Sequence, residues 1–106
     1  MSSIAVTKNS FKSEVLESDQ VVLTDFWASW CMPCRMMEPV VEKLAEQHAG
    51  KLKIAKVNVD EEGELAAQYN IVSIPTFLVF HKGELVNQQV GAVPEKILGD
   101  MIKDYV

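Results

Sequence analysis

The sequence predicts a three-layer α/β domain, and three consecutive segments carry that expectation. Val21 to Trp27 is nearly unbroken apolar sequence, the pattern of a strand covered on both faces. From Pro33 onward, Met37, Val40, Val41 and Leu44 recur at helical spacing. Leu52 to Val59 then alternates its branched residues and reads as another strand. Strand, helix and strand in this order form a βαβ unit, whose crossover is almost always right-handed.

The flanking elements follow from local signals. Ile4-Ala5-Val6 predicts a short first strand. Asn9 or Ser10 is placed to cap a helix in which Phe11 and Val15 share a face, and Asp19-Gln20 breaks it. Pro33 suits the first turn of the long helix, where its missing N–H costs nothing. Gly50 stops that helix, with His48 near its end. Beyond the βαβ unit a short helix is expected at Gly63 to Tyr69. Thr76 to Phe80 and Leu85 to Val90 read as two strands around a Lys82-Gly83 hairpin turn. Pro94 opens a final helix with Ile97, Leu98, Met101 and Ile102 on one side. Gly99 inside that helix costs about 1 kcal/mol against alanine, which points to close packing there.

A chain of 106 residues is large enough for one core and not for two, so a single domain over 1–106 is expected. Hydrophobic residues at 48% and charged residues at 24% argue against disorder. The formal charge of −5, with Lys and Arg scattered, offers no footprint for nucleic acid or an anionic membrane. No stretch approaches the roughly 18 apolar residues of a membrane span. The first ten residues hold one lysine and no apolar run suited to secretion, so a cytoplasmic protein is expected.

The chain has two cysteines, three positions apart in Trp30-Cys31-Met32-Pro33-Cys34-Arg35. Thiols at i and i+3 meet when the backbone is helical, so a disulfide can form and break without unfolding anything. A static staple closing about four residues yields roughly 2 kcal/mol, well below what larger loops give. Zinc takes four ligands, or three and water. The only histidines, His48 and His81, lack ligand spacing to the pair and read as surface residues, so no metal is expected. A working dithiol is the better reading.

Placed between a buried strand and a long helix, this segment resembles the thioredoxin family. The likeness spans essentially the whole chain: Asp25-Phe26-Trp27-Ala28, Pro39, Lys56-Val57-Asn58-Val59-Asp60, Ile74-Pro75-Thr76 and Val90-Gly91-Ala92 fall in the family's order and spacing. Two positions depart from the pattern. Met32 stands where glycine is usual, and Arg35 where lysine is common. The resemblance implies a central mixed sheet of four to five strands with helices on both faces, and a thiol–disulfide oxidoreductase that reduces protein disulfides.

Only a thiolate attacks a disulfide, and a free cysteine ionises near pH 8.5. Cys31 should sit at the amino end of the helix, where dipole and backbone N–H groups contribute about 0.3–2 kcal/mol. One pKa unit is about 1.4 kcal/mol, so this placement supplies roughly one unit, and Cys31 is the expected nucleophile. Cys34, about one turn further in and shielded, is the expected resolving thiol. Asp25 interrupts an apolar strand, and burial raises a carboxyl toward neutrality, as a general base requires. By resemblance Asp25 lies under the cysteines and takes the Cys34 proton through water, with Lys56 on the next strand as its partner.

An X–Pro bond is cis in only about 5–6% of folded cases, so the residues of Ile74-Pro75 predict trans, whereas the resemblance implies cis. A cis bond facing the cysteines leaves the Ile74 backbone free to pair with an extended substrate. Trp30, Met32, Pro33, Ile74, Pro75, Val90, Gly91 and Ala92 are the expected substrate-binding rim, with Gly91 admitting close approach of a partner backbone. Phe26 and Trp27 read as core, and Pro39 as a helix kink. No G-x-G-x-x-G occurs, so no bound cofactor is expected. The resemblance implies NADPH, or ferredoxin, acting through a separate thioredoxin reductase, with disulfide-containing client proteins and a monomeric chain. Two other readings are an oxidant or isomerase of an oxidising compartment and a binding module whose thiols are incidental. Lack of a leader argues against the first; the intact dithiol and Asp25 argue against the second.

Overall fold

A computed structural model describes residues 3–106. The first two residues, part of the stretch read above for a leader, lie outside the described residues. Among the described residues five strands form one mixed sheet: β1 (Ser3–Ala5), β2 (Val21–Trp27), β3 (Leu52–Asn58), β4 (Thr76–His81) and β5 (Glu84–Val90), in the order β1-β3-β2-β4-β5. β3 runs parallel to both β1 and β2, while β4 is antiparallel to β2 and β5. Three helices accompany the sheet: α1 (Met32–Gln47), α2 (Gly63–Gln68) and α3 (Glu95–Ile102). The βαβ unit is thus β2-α1-β3, as its periodicity predicts, and the whole is the expected α/β sheet with helices on both faces.

The apolar character of β2 follows from its place between β3 and β4, which leaves six of its seven residues buried. Alternation sends Val21 and Leu23 into the layer filled by Met37, Val41 and Leu44 of α1 and Leu98 and Ile102 of α3. Val22 and Phe26 enter the opposite layer, with Phe11, Val15, Leu65 and Ala66. Asp25 continues the Val21 and Leu23 side and therefore faces α1. Burying a Leu, Val or Met side chain contributes about 1.5–3 kcal/mol. Three of them on α1 outweigh the roughly 3 kcal/mol that Pro39 costs inside that helix.

Several local expectations shift. The first strand ends at Ala5, although the Val6 N–H still donates to the Lys56 carbonyl at 2.9 Å. The predicted capped helix is a five-residue π-helical turn, Lys12–Leu16, with no side-chain cap. Ser10 Oγ instead accepts from the Thr7 N–H at 3.0 Å, closing the preceding turn. Phe11 and Val15 do share a buried face. On α3, Leu98, Met101 and Ile102 are buried but Ile97 is 39% exposed, because it sits at the margin of that stripe. Gly99 has nothing within 4 Å of where a Cβ would stand, so close packing is not its reason. The hairpin turn falls at Lys82 and Gly83, both with positive φ (53° and 81°), the twist that two-residue hairpins favour. His48 and His81 are half-buried, and the His81 ring packs on Tyr105 with centroids 4.8 Å apart.

Candidate active site

Where β2 ends, Ala28 is fully buried and its carbonyl accepts the Cys31 N–H at 3.1 Å. That bond turns the chain so that Cys31, in extended conformation (φ −87°, ψ 106°), becomes the N-cap of α1 with Pro33 in the first turn. The four leading N–H groups of a helix have no partner inside it. One of them, the Cys34 N–H, donates to Cys31 Sγ at 3.2 Å. Cys31 and Cys34 are joined as a disulfide with Cα atoms 5.3 Å apart. Exposure does not separate the two, at 4% and 3%, because in the oxidised form both sulfurs share one pocket with Ala28, Trp27, Val59 and Ile74. Position separates them: Cys31 is the cap, and Cys34 begins the buried stripe of α1.

The loop before β4 packs against the pair through Ile74. Ile74-Pro75 is cis, as the resemblance implies and the residues alone do not. The Ile74 carbonyl oxygen lies 3.8 Å from Cys31 Sγ. With the disulfide formed that sulfur has no proton to give; as a thiol it could donate to this oxygen. The Pro75 carbonyl accepts the Gly91 N–H at 2.7 Å, tying the loop to the end of β5. Gly91 has φ +91°, a conformation that side chains resist, and open space where a Cβ would stand. Both features fit a position that a partner's backbone approaches.

Around the pair the surface is apolar. Trp30 is 69% exposed, Met32 62% and Val90 49%; Pro33 and Ala92 are exposed and Ile74 half-buried. Two residues that motif reading missed extend this rim: Met36, one turn beyond Met32 on α1, and Val72, two residues before Ile74 and almost wholly exposed. The i, i+4 spacing of the two methionines was a usable signal for the first. Trp30 is held despite its exposure, because its indole N–H donates to Asp60 Oδ2 at 2.9 Å. The Asp60 N–H is itself fixed by Asn58 Oδ1 at 2.9 Å, just past β3.

Asp25 is 2% exposed, and its Oδ1 has no hydrogen-bond partner among the described residues. Burial pushes its pKa up from 3.8 to about 7; the positive charge of Lys56 opposes the rise and the negative charge of Glu38 adds to it. Lys56 stands beside Asp25 in the parallel ladder. Its ammonium, however, pairs with Glu38 Oε1 at 3.2 Å and lies 4.5 Å from the Trp27 ring centre. The partnership expected for Lys56 is therefore electrostatic and at a distance. Glu38, which no motif singled out, takes the direct contact. Trp27 is half-buried beneath Lys56, and Phe26 is wholly in the core.

A C-x-x-C disulfide at the start of a helix offers the chemistry of dithiol–disulfide exchange, and known proteins resemble the chain along its length. The thioredoxin family model matches residues 2–104. The chain is 50% identical over 101 residues to "Thioredoxin 1" of a Nostoc species, spanning 95% of this chain and 94% of the relative. It is 49% identical over 100 residues to the thioredoxin of Chlorobaculum thiosulfatiphilum, spanning 94% and 93%. To the thioredoxin of Porphyra purpurea it is 46% identical over 106 residues, spanning 100% and 99%. With half of the positions shared along nearly the full length, the chain belongs to the thioredoxin family of protein thiol–disulfide oxidoreductases.

Proposed function

We propose that the chain reduces protein disulfides with Cys31 as nucleophile, Cys34 as resolving thiol and Asp25 as general base. The observation that carries this assignment is the Cys34 N–H aimed at Cys31 Sγ from the first turn of α1. A donor already in place there stabilises negative charge on that sulfur before any substrate arrives. The Cys31 thiolate attacks a client disulfide, one client sulfur leaves as thiolate, and a mixed disulfide remains. Asp25 accepts the Cys34 proton. The Cys34 thiolate then attacks Cys31 Sγ, releasing the second client thiolate and forming the Cys31–Cys34 disulfide. The client gains two electrons and the dithiol loses two. A near-neutral carboxyl suits the proton step, since it is part ionised at pH 7 and can both accept and return a proton.

Lys56 limits the rise of the Asp25 pKa. The rim of Trp30, Met32, Pro33, Ile74, Pro75, Gly91 and Ala92 receives an extended client segment, with the Ile74 backbone as its edge. A separate thioredoxin reductase restores the dithiol with electrons from NADPH or ferredoxin, which places the chain in cellular electron transport and redox homeostasis. In this reading it works in the cytoplasm, as a single monomeric domain with no bound cofactor and no nucleic-acid or membrane partner. Among the described residues no helix is long and apolar enough to cross a membrane.

The decisive experiment pairs two serine variants with a disulfide client. Cys34→Ser should accumulate a covalent complex through Cys31, whereas Cys31→Ser should trap none. The reverse pattern would exchange the roles of the thiols. Asp25→Asn should slow reduction near neutral pH while the fold stays intact. Rates unchanged across pH 6 to 9 would remove Asp25 as the base.

A further inference from the structure

Lys56 occupies a position from which it could pair with Asp25. The two residues are register partners in adjacent parallel strands and point to the same face of the sheet. The lysine side chain is only 19% exposed, so its charge is incompletely screened by water. A cation in contact with a carboxylate typically lowers its pKa by about 1–3 units, which would leave Asp25 a weak base. The observed geometry is different. The ammonium turns toward α1, where Glu38 Oε1 accepts at 3.2 Å, and it lies over the Trp27 ring, 4.5 Å from its centre. Glu38 follows the buried Met37 and precedes the exposed Pro39, on a helix anchored by Met37 and Val41 in the core. Its carboxylate is therefore presented to β3 from a rigid element. Glu38, Glu42 and Lys56 line the same cleft with Ser3, Pro39 and Val41. From β4 the register partner of Asp25 is Phe77, and from β1 that of Lys56 is Ala5, neither of which is charged.

We propose that Glu38 is a positioning residue for the proton-transfer step: it draws the Lys56 ammonium out to the mouth of this cleft and so keeps the cation from locking Asp25 in its ionised form. The inference rests on Asp25 as the base of the proposed reaction. Two effects act in one direction. Glu38 detains the lysine, and its own charge disfavours ionisation of Asp25, in accord with the direction in which each group moves that carboxyl. Removing Glu38 frees Lys56 to approach Asp25.

The test follows the Asp25 carboxyl by carbon NMR titration and, in parallel, the pH profile of client-disulfide reduction. Wild type, Glu38→Gln, Lys56→Met and the double variant are compared. Glu38→Gln should move the carboxyl inflection down by about 0.5–1 pH unit, and Lys56→Met should move it up. In the Lys56→Met background the Glu38→Gln change should move it much less, since the lysine it detains is gone. An unmoved inflection in Glu38→Gln, or an equal movement with and without Lys56, would overturn the proposal. Glu38→Asp, which keeps the charge, should restore much of the wild-type profile. If the carboxyl inflection moves as stated while the rate profile stays still, the Glu38 link holds and Asp25 is not the base.

Discussion

Asp25 lies beside Lys56 in the β2/β3 register, and the lysine's ammonium hydrogen-bonds to Glu38, 3.2 Å away on α1. The buried Asp25 carboxyl has one oxygen without a hydrogen-bond partner among the described residues, and burial above all raises its pKa to about 7.

That acidity makes folding stability pH-dependent in a defined direction. The folded value is raised above the unfolded one, so between about pH 4 and 7 the native state binds the extra proton. Stability from this group is full below pH 4 and falls as the pH rises toward 7. At about 1.4 kcal/mol per pKa unit, complete ionisation costs on the order of 4 kcal/mol. Asp25→Asn should therefore be the more stable protein at pH 8 by a few kcal/mol and should gain little at pH 4. Urea unfolding at both values checks this; an equal gain at the two would show that charge is not the cause.

Gly99→Ala should stabilise the protein. The position is interior to α3 and has open space for a methyl group. The helix-propensity difference predicts a gain of about 0.5–1 kcal/mol, or roughly 2–6 °C in melting temperature. Calorimetry showing a loss would mean that this glycine serves a contact absent from the isolated chain.

Asp60→Ala should release Trp30 without unsettling the fold. The indole is 69% exposed, and its N–H is tied to Asp60 Oδ2. Stability should change by no more than about 0.5 kcal/mol, while relaxation of the Trp30 indole nitrogen should report faster motion. An indole as rigid as in the wild type would assign its order to packing instead.

The exposed methionines should oxidise first. Met32 and Met36 are 62% and 64% exposed, against 3% for Met37 and 7% for Met101. Hydrogen peroxide applied to the disulfide form, whose sulfurs are not free thiols, should convert the first pair to sulfoxide well before the second. Each thioether takes one oxygen from the peroxide, whose other oxygen leaves as water. Peptide mass spectrometry gives the order, and a polar rim should then raise the KM for a protein client. Similar oxidation rates at all four positions would refute the exposure ranking.

The sequence was most legible where the signal is local. Seven nearly unbroken apolar residues marked β2, helical spacing marked α1, and a lone acid inside the strand marked Asp25. Errors arose where tertiary context overrides propensity. Ser10 had a nearer turn to close than the helix it was expected to cap, and Ile97 belongs by spacing to a stripe too narrow to cover it. Glu38 went unread because an acid on an exposed helix face looks like ordinary solvation. Its importance depends on a lysine 18 positions away.

The amino-acid order by itself determined the chemistry available: two thiols a helical turn apart, a helix starting between them, and one carboxyl stranded among apolar side chains. Periodicity and capping act over a few residues, so they can be read without knowing the fold. The tertiary structure alone decided which groups meet. The Ile74 carbonyl reaches Cys31 across 43 residues and Asp60 holds Trp30 across 30. Lys56 settles on Glu38 because strand order and helix placement bring them within reach. Such contacts are set by sheet register and layer packing, which no short window of sequence contains.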